Sequence, residues 1–191
     1  MDIQSDRILI DKILEGAQPA FKELVEKYQT MVINTCIGFL HDKQDAEDIS
    51  QEVFIEVFYS LRKFRQEAKL TTWMYRIAVN KSLNFLRSKK RRQWIQSFED
   101  VFGMSRQDQK QPAEMRNPAT DMEMQEEATL IHNAINSLSE NQRIAFTLNK
   151  YDDLPYSEIA EIMGVSLSSV ESLIHRAKMN LQQKLMYHYK N

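Results

Sequence analysis

The sequence is poor in residues that break helices, since its 191 residues include only four glycines and four prolines. Runs of β-branched residues are also few, and together these shortages favour an all-α protein. The single cysteine, Cys36, excludes an internal disulfide and fits a reducing compartment. No apolar run reaches the length of a membrane span, and the N-terminus does not resemble a signal peptide. We therefore expect a cytoplasmic protein without membrane insertion.

Excess charge of one sign is also missing, because the net charge is only −2. The charges are instead segregated along the chain: residues 42–56 are mainly acidic, whereas residues 81–92 are mainly basic. Such asymmetry indicates two faces with different partners, one of them nucleic acid.

Residues 70–92 contain no glycine, proline or acidic residue and predict a helix of about five to six turns. Apolar residues recur at three- and four-residue steps, so one side should be buried: Leu70, Trp73, Met74, Ile77, Ala78 and Phe85. A polar row follows another side: Thr72, Arg76, Asn80, Asn84, Arg87 and Arg91. Amides and guanidiniums bond to base edges and phosphates, so this row is a candidate nucleic-acid surface. An amphipathic helix with a solvated basic end is the alternative.

Residues 45–64 predict an earlier helix with an acidic outer side, for which Asp45 is the candidate N-cap. Phe54 and Ile55 flank the carboxylates, and this mixture suits docking against a basic partner helix. A merely solvated face is the alternative. The outer positions of this helix are Asp45, Asp48, Gln51, Glu52 and Glu56.

Two features of the sequence could indicate chemistry but are better explained by structure. Cys36 lies on an apolar stripe between residues 21 and 40, so we expect a core side chain rather than a reactive thiol. His41 lies near several aspartates, but without the ligand spacing of known metal sites. The sequence has no phosphate-binding loop or nucleophile motif. We therefore expect no metal, no cofactor and no enzymatic activity.

The composition changes after residue 92. Residues 104–127 are rich in Gln, Asp, Glu and Met and have no aromatic residue, which is typical of a linker. We expect the apolar residues before it to pack back onto the first domain: Trp94, Ile95, Phe98, Val101 and Phe102. The predicted organisation is an N-terminal helical bundle (1–92), a flexible linker (93–128) and a C-terminal helical domain (129–191).

The C-terminal domain has the spacing of a helix-turn-helix. Ala160 is small where two helices would cross, and Gly164 permits a left-handed turn. Ser166 is the predicted cap of the second helix, on which Val170 and Leu173 would pack inward. An unrelated helical hairpin is the alternative. The exposed side of the second helix carries short polar residues and cations suited to a major groove: Ser168, Ser169, Glu171, Ser172, His175, Arg176 and Lys178.

Taken together, the chain resembles the bacterial extracytoplasmic-function (ECF) sigma factors, the short members of the major sigma family. The motifs that carry the resemblance are FKELVEKYQ at 21–29, DAEDISQEVFI at 45–55, TTWMYRIAVNKSLNFLR at 71–87, LSENQRIAFTL at 138–148 and YSEIAEIMGVSLSSVESLIHRAK at 156–178. The resemblance covers nearly the whole chain apart from the linker. It implies sigma region 2 in residues 1–92, sigma region 4 in residues 129–191, and a specificity subunit of RNA polymerase rather than an enzyme.

The resemblance also implies partners by position. The helix at 71–92 would melt the minus-ten promoter element, with Asn80 and Asn84 reading bases. Arg76, Lys81 and Arg87 would hold the DNA backbone. The acidic helix would grip the clamp helices of the largest polymerase subunit through Asp45, Asp48, Gln51, Glu52 and Phe54.

In the C-terminal half, the resemblance implies that the helix at 166–178 reads the minus-thirty-five duplex. The resemblance also implies contact with the flap of the second-largest polymerase subunit and binding of an anti-sigma factor. The sequence departs from the family at Glu171 and Leu173, where many members carry Lys or Arg. Glu171 can instead accept a hydrogen bond from a cytosine amine.

A conventional helix-turn-helix regulator that binds an operator without joining polymerase is the competing hypothesis. This hypothesis does not explain the acidic helix or the helix at residues 70–92 that contains Trp73. Co-purification with core polymerase would separate the two hypotheses.

Overall fold

The computed structural model describes residues 3–65, 67–101 and 120–189, and these residues are almost entirely helical, without a strand. This confirms the all-α prediction. No helix within these ranges is both long and apolar enough to cross a membrane. The helices are α1 (Ile3–Leu14), α2 (Gln18–Leu40), α3 (Lys43–Ser60), α4 (Leu70–Val101), α5 (Thr120–Asn136), α6 (Glu140–Tyr151), α7 (Tyr156–Met163) and α8 (Leu167–Tyr189), with a 3₁₀ turn at Leu61–Lys63.

The α2–α3 junction shows how local sequence sets the helix ends. His41 ends α2 in a left-handed conformation with φ of 55°. Asp42 then becomes the first extended residue, and its carboxylate accepts the backbone N–H of Asp45 at 2.8 Å. Asp42 is therefore the N-cap, and the prediction of Asp45 as the cap was wrong. The helix ends at Ser60, earlier than predicted, because a 3₁₀ turn follows.

The N-terminal bundle is built around one stripe of α2. Leu24, Tyr28, Val32 and Cys36 recur every four residues and have no exposed surface. Helices α3 and α4 pack against this stripe and against each other, and α1 lies against α2. The position of Cys36 confirms its predicted place in the core.

A buried polar contact attaches α1 to the bundle. The Tyr28 hydroxyl donates to Asp6 Oδ1 at 2.7 Å, and Lys27 Nζ donates to the same oxygen at 2.6 Å. Tyr28 is fully buried, and Asp6 is 7 % exposed. Burial and the Asp6 carboxylate raise the pKa of Tyr28, so the phenol stays a donor.

We expect Asp6→Ala to lower the free energy of unfolding by about 2 kcal/mol, because the buried Tyr28 hydroxyl would lose its acceptor. Urea denaturation followed by circular dichroism measures this change. Asp11→Ala, an exposed position on the same helix, is the control and should stay within about 0.5 kcal/mol of the parent. Equal effects of the two substitutions would show that the buried contact does not hold α1 in place.

The C-terminal half confirms the helix-turn-helix spacing. Gly164 ends α7 in the left-handed region, with φ of 66°. Ser166 Oγ accepts the backbone N–H of Ser169 at 3.2 Å and so caps α8, as predicted. Val170 and Ile174 are buried against α7. A smaller apolar cluster joins α5 to α8 and contains Ala134, Ile135, Leu138, Ala177 and Leu181.

The two halves of the chain pack against each other. One hydrophobic cluster runs from α2, α3 and α4 into α6, α7 and α8, and it includes Leu148 and Ile159 as well as Val32 and Met74. Helix α2 contacts α6, and α4 contacts α7. The sequence did not predict this arrangement.

Helix α4 continues to Val101, beyond the predicted domain boundary at residue 92. Trp94 and Ile95 are 65 % and 43 % exposed, so the prediction that they pack back onto the first domain was wrong. The predictions for Phe98, Val101 and Phe102, and most of the predicted linker, lie outside the described side chains.

Candidate nucleic-acid and polymerase interfaces

Helix α3 presents one side to the exterior, opposite the buried Ile49 and Val53. This side combines carboxylates with large apolar groups, since Ile55 is 56 % exposed and Tyr59 is 75 % exposed. Exposed apolar groups beside charges are typical of a protein–protein contact. We call this surface the outer face of α3, and it consists of Asp48, Gln51, Glu52, Ile55 and Tyr59.

Phe54 was predicted to contact the polymerase from the surface of α3. In the structure it is only 9 % exposed and belongs to the core. Successive helical residues are separated by about 100° around the axis, so Phe54 turns inward while Ile55 turns outward. Tyr59 was not among the outer residues predicted for this helix. Its spacing of four residues from Ile55 could have revealed it.

Helix α4 carries the predicted polar row on a side that its buried residues do not use. Arg76, Asn80, Asn84 and Arg87 are exposed and form what we call the reading face. Thr72 is only 4 % exposed, so the row begins one turn later than its sequence pattern indicated. Both asparagines are exposed, so their amide groups are accessible to a base, although Asn84 Oδ1 accepts a hydrogen bond from Arg87 Nη1 at 3.1 Å.

The reading face also lines a cleft between α4 and the C-terminal half. The cleft has a volume of about 430 Å³ and is lined by Arg76, Val79, Asn80, Asn141, Ile144, Ile162, Met163 and Gly164. Trp73 lies one turn before Arg76 and seven residues before Asn80, on the same side of α4, and packs its ring against Phe64 with a centroid separation of 4.9 Å. Trp73 is partly buried against the core, as its place in the apolar row predicted.

Lys81 and Lys89 connect the two faces. Lys81 Nζ lies 3.7 Å from Glu52 and 3.6 Å from Glu56, and Lys89 Nζ lies 2.7 Å from Asp45. All these groups are partly exposed, so the ion pairs contribute little and can exchange partners. Lys81 is thus turned toward α3 in this structure, whereas Arg76 and Arg87 point to the other side.

The helix-turn-helix surface on α8 matches its prediction in position. Every predicted contact is exposed, and all of them share one half of the helix circumference: Ser168, Ser169, Glu171, Ser172, His175, Arg176 and Lys178. Ser168 and Ser169 hydroxyls lie 3.1 and 2.8 Å from Ser166 Oγ at the start of the helix. Leu173 is partly buried against the core, so this position would not direct a cation to DNA here.

The titratable groups suggested as chemical sites are buried against other helices. Burial raises the pKa of the Cys36 thiol to about 11, which keeps it protonated. The His41 ring stacks on His132 with a centroid separation of 3.9 Å, and it does not join the nearby aspartates. Burial, together with His132 and Arg143, lowers the pKa of His41 to about 4. Among the described residues, no group of three or more potential metal ligands is assembled.

Two family models match the two halves of the chain. The Sigma-70 region 2 model matches residues 24–92, and the Sigma-70 region 4 model matches residues 128–181. The chain is 31 % identical to the RNA polymerase sigma-H factor of Pseudomonas aeruginosa over 190 residues, covering 95 % of this chain and 94 % of that protein. It is 33 % identical to the ECF RNA polymerase sigma-E factor of Escherichia coli over 181 residues, with coverages of 95 % and 94 %.

Solved structures show the same fold. CnrH in complex with the cytosolic domain of CnrY has a TM-score of 0.63 and 21 % identity, covering 95 % of this chain and 97 % of CnrH. The sigma factor RpoE of Bartonella quintana, in complex with the anti-sigma factor NepR, has a TM-score of 0.56 and 22 % identity, with coverages of 87 % and 96 %. The chain belongs to the Sigma-70 family of RNA polymerase sigma factors. Its relatives place it in the ECF group, as its motifs predicted.

Proposed function

We propose that this sigma factor divides promoter recognition among three surfaces. The outer face of α3 binds core RNA polymerase, the reading face of α4 opens the minus-ten element, and α8 reads the minus-thirty-five duplex. Residues 1–92 and 129–191 are the corresponding functional units, joined by residues 93–128. The observation that carries the proposal is that an acidic–apolar face and an amide–guanidinium face occupy adjacent helices and are both exposed.

The composition of the α3 face supports a protein partner. Ile55 and Tyr59 provide apolar area for burial, while Asp48 and Glu52 would pair with cations on the polymerase clamp helices. Asp45 and Glu52 lie beside Lys89 and Lys81, but these partly exposed pairs can exchange partners. We therefore give the central role in polymerase binding to Asp45, Asp48, Gln51 and Glu52, with Ile55 and Tyr59 in place of Phe54.

The α4 face supports the capture of a single strand. Opening a duplex costs stacking and pairing energy, and binding a splayed base offsets part of this cost. Asn80 and Asn84 supply both donors and acceptors for base edges. Arg76 and Arg87 supply cations for the displaced backbone, and Lys81 joins them if it leaves Glu52 and Glu56.

The α8 face supports duplex recognition. Short Ser side chains near the start of the helix allow close approach to base edges, and Arg176 and Lys178 can contact phosphates. Glu171 would favour a cytosine. Because Leu173 packs inward, fewer cations face the duplex than in many family members, and we expect weak sequence-independent binding.

Three further assignments complete the proposal. The C-terminal half also contacts the flap of the second-largest polymerase subunit. The protein works in the cytoplasm, where its polymerase is. An anti-sigma factor regulates it, as supported by the complexes in which the structural relatives CnrH and RpoE were solved. Its function requires no cofactor and no catalytic step.

Reconstitution tests the function directly. The protein is added to bacterial core polymerase with a library of promoter fragments, and transcript starts are sequenced. We expect starts at a subset of fragments that share two short elements at a fixed spacing. Transcription that does not depend on added protein would contradict the proposal. A protein that binds duplex DNA but fails to co-purify with core polymerase would instead be an operator-binding regulator.

A further inference from the structure

The part of α4 that follows the reading face carries a second group of cations, at residues that no assignment above includes. Lys90, Arg91 and Arg92 are exposed, and Trp94 shortly after them is 65 % exposed. The sequence from residue 68 to residue 98 contains no acidic residue, so no carboxylate of this stretch offsets these charges. We call residues 90–95 the α4 extension.

The cations of the α4 extension differ from the earlier ones in their partners. Lys81, Arg87 and Lys89 each pair with a carboxylate of another helix. In the part of the chain that the structure describes, Lys90 and Arg91 have neither a hydrogen-bond partner nor an ion-pair partner. Arg87 and Arg91 are also four residues apart, where like charges on a helix repel each other. A polyanion would relieve this repulsion without displacing an internal partner of Lys90 or Arg91.

Helical register aligns the α4 extension with the reading face. Trp94 follows Arg76 by 18 residues, which make about five complete turns, so both side chains leave the helix in the same direction. Arg91 follows Asn80 by 11 residues and lies within about 20° of it around the axis. Trp94 lies about 15 Å beyond Asn84 along the helix, a distance equal to about four base pairs of duplex. The reading face therefore continues as one stripe into the extension.

The α4 extension is basic on more than one side. Successive helical residues are about 100° apart, so Lys90, Arg91 and Arg92 together span about 200° of the circumference. A single strand presents one row of phosphates, whereas a duplex presents two, and a wide basic surface suits the duplex. The exposed indole of Trp94 adds a flat apolar surface on which a base can stack. Both features occur together in DNA at the edge of an opened segment, where a duplex ends in a base pair with one uncovered face.

We propose that the α4 extension binds the promoter where the duplex resumes beside the opened minus-ten element. Lys90, Arg91 and Arg92 bind phosphates of the two strands, and Trp94 stacks on the last base pair, which opening has uncovered. The inference rests on the proposed role of α4 and adds a DNA site beyond Arg87. It makes the edge of the opened segment, as well as its unpaired bases, a source of stability for the open complex.

Two DNA probes separate this edge from the unpaired strand. The first is a fork, in which a duplex continues into an unpaired non-template strand that carries the minus-ten element. The second is the same unpaired strand without the duplex. Both are taken from a promoter found by sequencing transcript starts, and each is labelled with a fluorophore. Fluorescence anisotropy then measures the affinity of the complex between this protein and core polymerase for each probe.

We expect Trp94→Ala to weaken binding of the fork about tenfold and to leave binding of the single strand within about twofold, because only the fork offers the uncovered base pair. Trp94→Phe keeps an aromatic ring and should retain most of the affinity for the fork. Gln93→Ala is the matched control, since Gln93 is exposed and lies about 100° from Trp94, on the side away from Asn84. Equal losses on both probes would place Trp94 on the single strand, and no loss on either would show that it does not bind DNA. Each of these results would overturn the inference.

The cations have a separate signature in the salt dependence of binding. Loss of two contacts to duplex phosphates lowers the slope of log K against log salt concentration by about 1.8. We expect this change for Lys90→Gln with Arg91→Gln on the fork, and no change on the single strand. Lys12→Gln with Lys22→Gln removes the same charge from exposed positions of α1 and α2 and is the control. Equal changes in the two double variants would show that net charge is responsible and would overturn the inference.

Asn80→Ala with Asn84→Ala distinguishes this inference from the proposed function. The double variant should weaken binding of both probes, because both contain the unpaired strand. If it does so while Trp94→Ala binds the fork normally, the α4 extension alone is rejected. If the asparagine variant binds both probes normally, the proposed role of the reading face is rejected.

Discussion

Asn80→Ala combined with Asn84→Ala should abolish most open-complex formation at a cognate promoter while leaving polymerase binding intact. Each asparagine offers both a donor and an acceptor to a base, and such contacts contribute about 1–3 kcal/mol. Loss of both predicts a reduction of about 100-fold, at about 1.4 kcal/mol for each tenfold change. Permanganate footprinting and abortive initiation assays measure the opened fraction.

The controls for this experiment separate base recognition from folding. Asn34→Ala removes an exposed amide from α2, away from the reading face, and should leave promoter opening unchanged. Native co-purification with core polymerase should be equal for all variants, because the outer face of α3 is untouched. Near-normal promoter opening in the double variant would show that the reading face does not take part in opening the promoter.

Reversing two charges on α3 should have the second large effect. Asp48→Lys with Glu52→Lys turns an acidic face basic, and like charges placed opposite each other cost several kcal/mol at an interface. We expect affinity for core polymerase to fall at least about 100-fold. Competition against labelled parent protein measures it, and transcription should fall in parallel.

A charge-matched control is available on the neighbouring helix. Glu23→Lys with Glu26→Lys makes the same change in net charge at exposed positions of α2. If both double variants lose polymerase affinity equally, long-range charge rather than the α3 face is responsible. If neither loses affinity, α3 does not contact the enzyme.

Local patterns predicted the helices and much of the surface because these features depend on neighbouring residues. Gly164 and Ser166 define a turn and a cap within three positions, and both were confirmed. The N-cap of α3 was predicted wrongly because two nearby residues could each cap the helix. Asp42 and Asp45 are both good caps, and the left-handed turn at His41 selects the first.

Burial at the edges of an apolar stripe was less predictable. Phe54 and Ile55 are adjacent and equally apolar, yet Phe54 is 9 % exposed and Ile55 is 56 % exposed. The difference depends on the angle at which α3 meets its neighbours. Thr72 likewise belongs to a polar row in sequence but is buried at the start of α4.

Sequence patterns were sufficient to predict an all-helical chain, a helix-turn-helix near its end, and an acidic helix followed by a basic one. Helical periodicity and capping act over a few residues, so they can be recognised without coordinates. The folded structure was needed to show that Arg76 donates to the carbonyl of Ile162, 86 positions away, and that α2 approaches Tyr151 closely at Gly38. Such contacts depend on the shapes of two distant surfaces, and no local pattern encodes them.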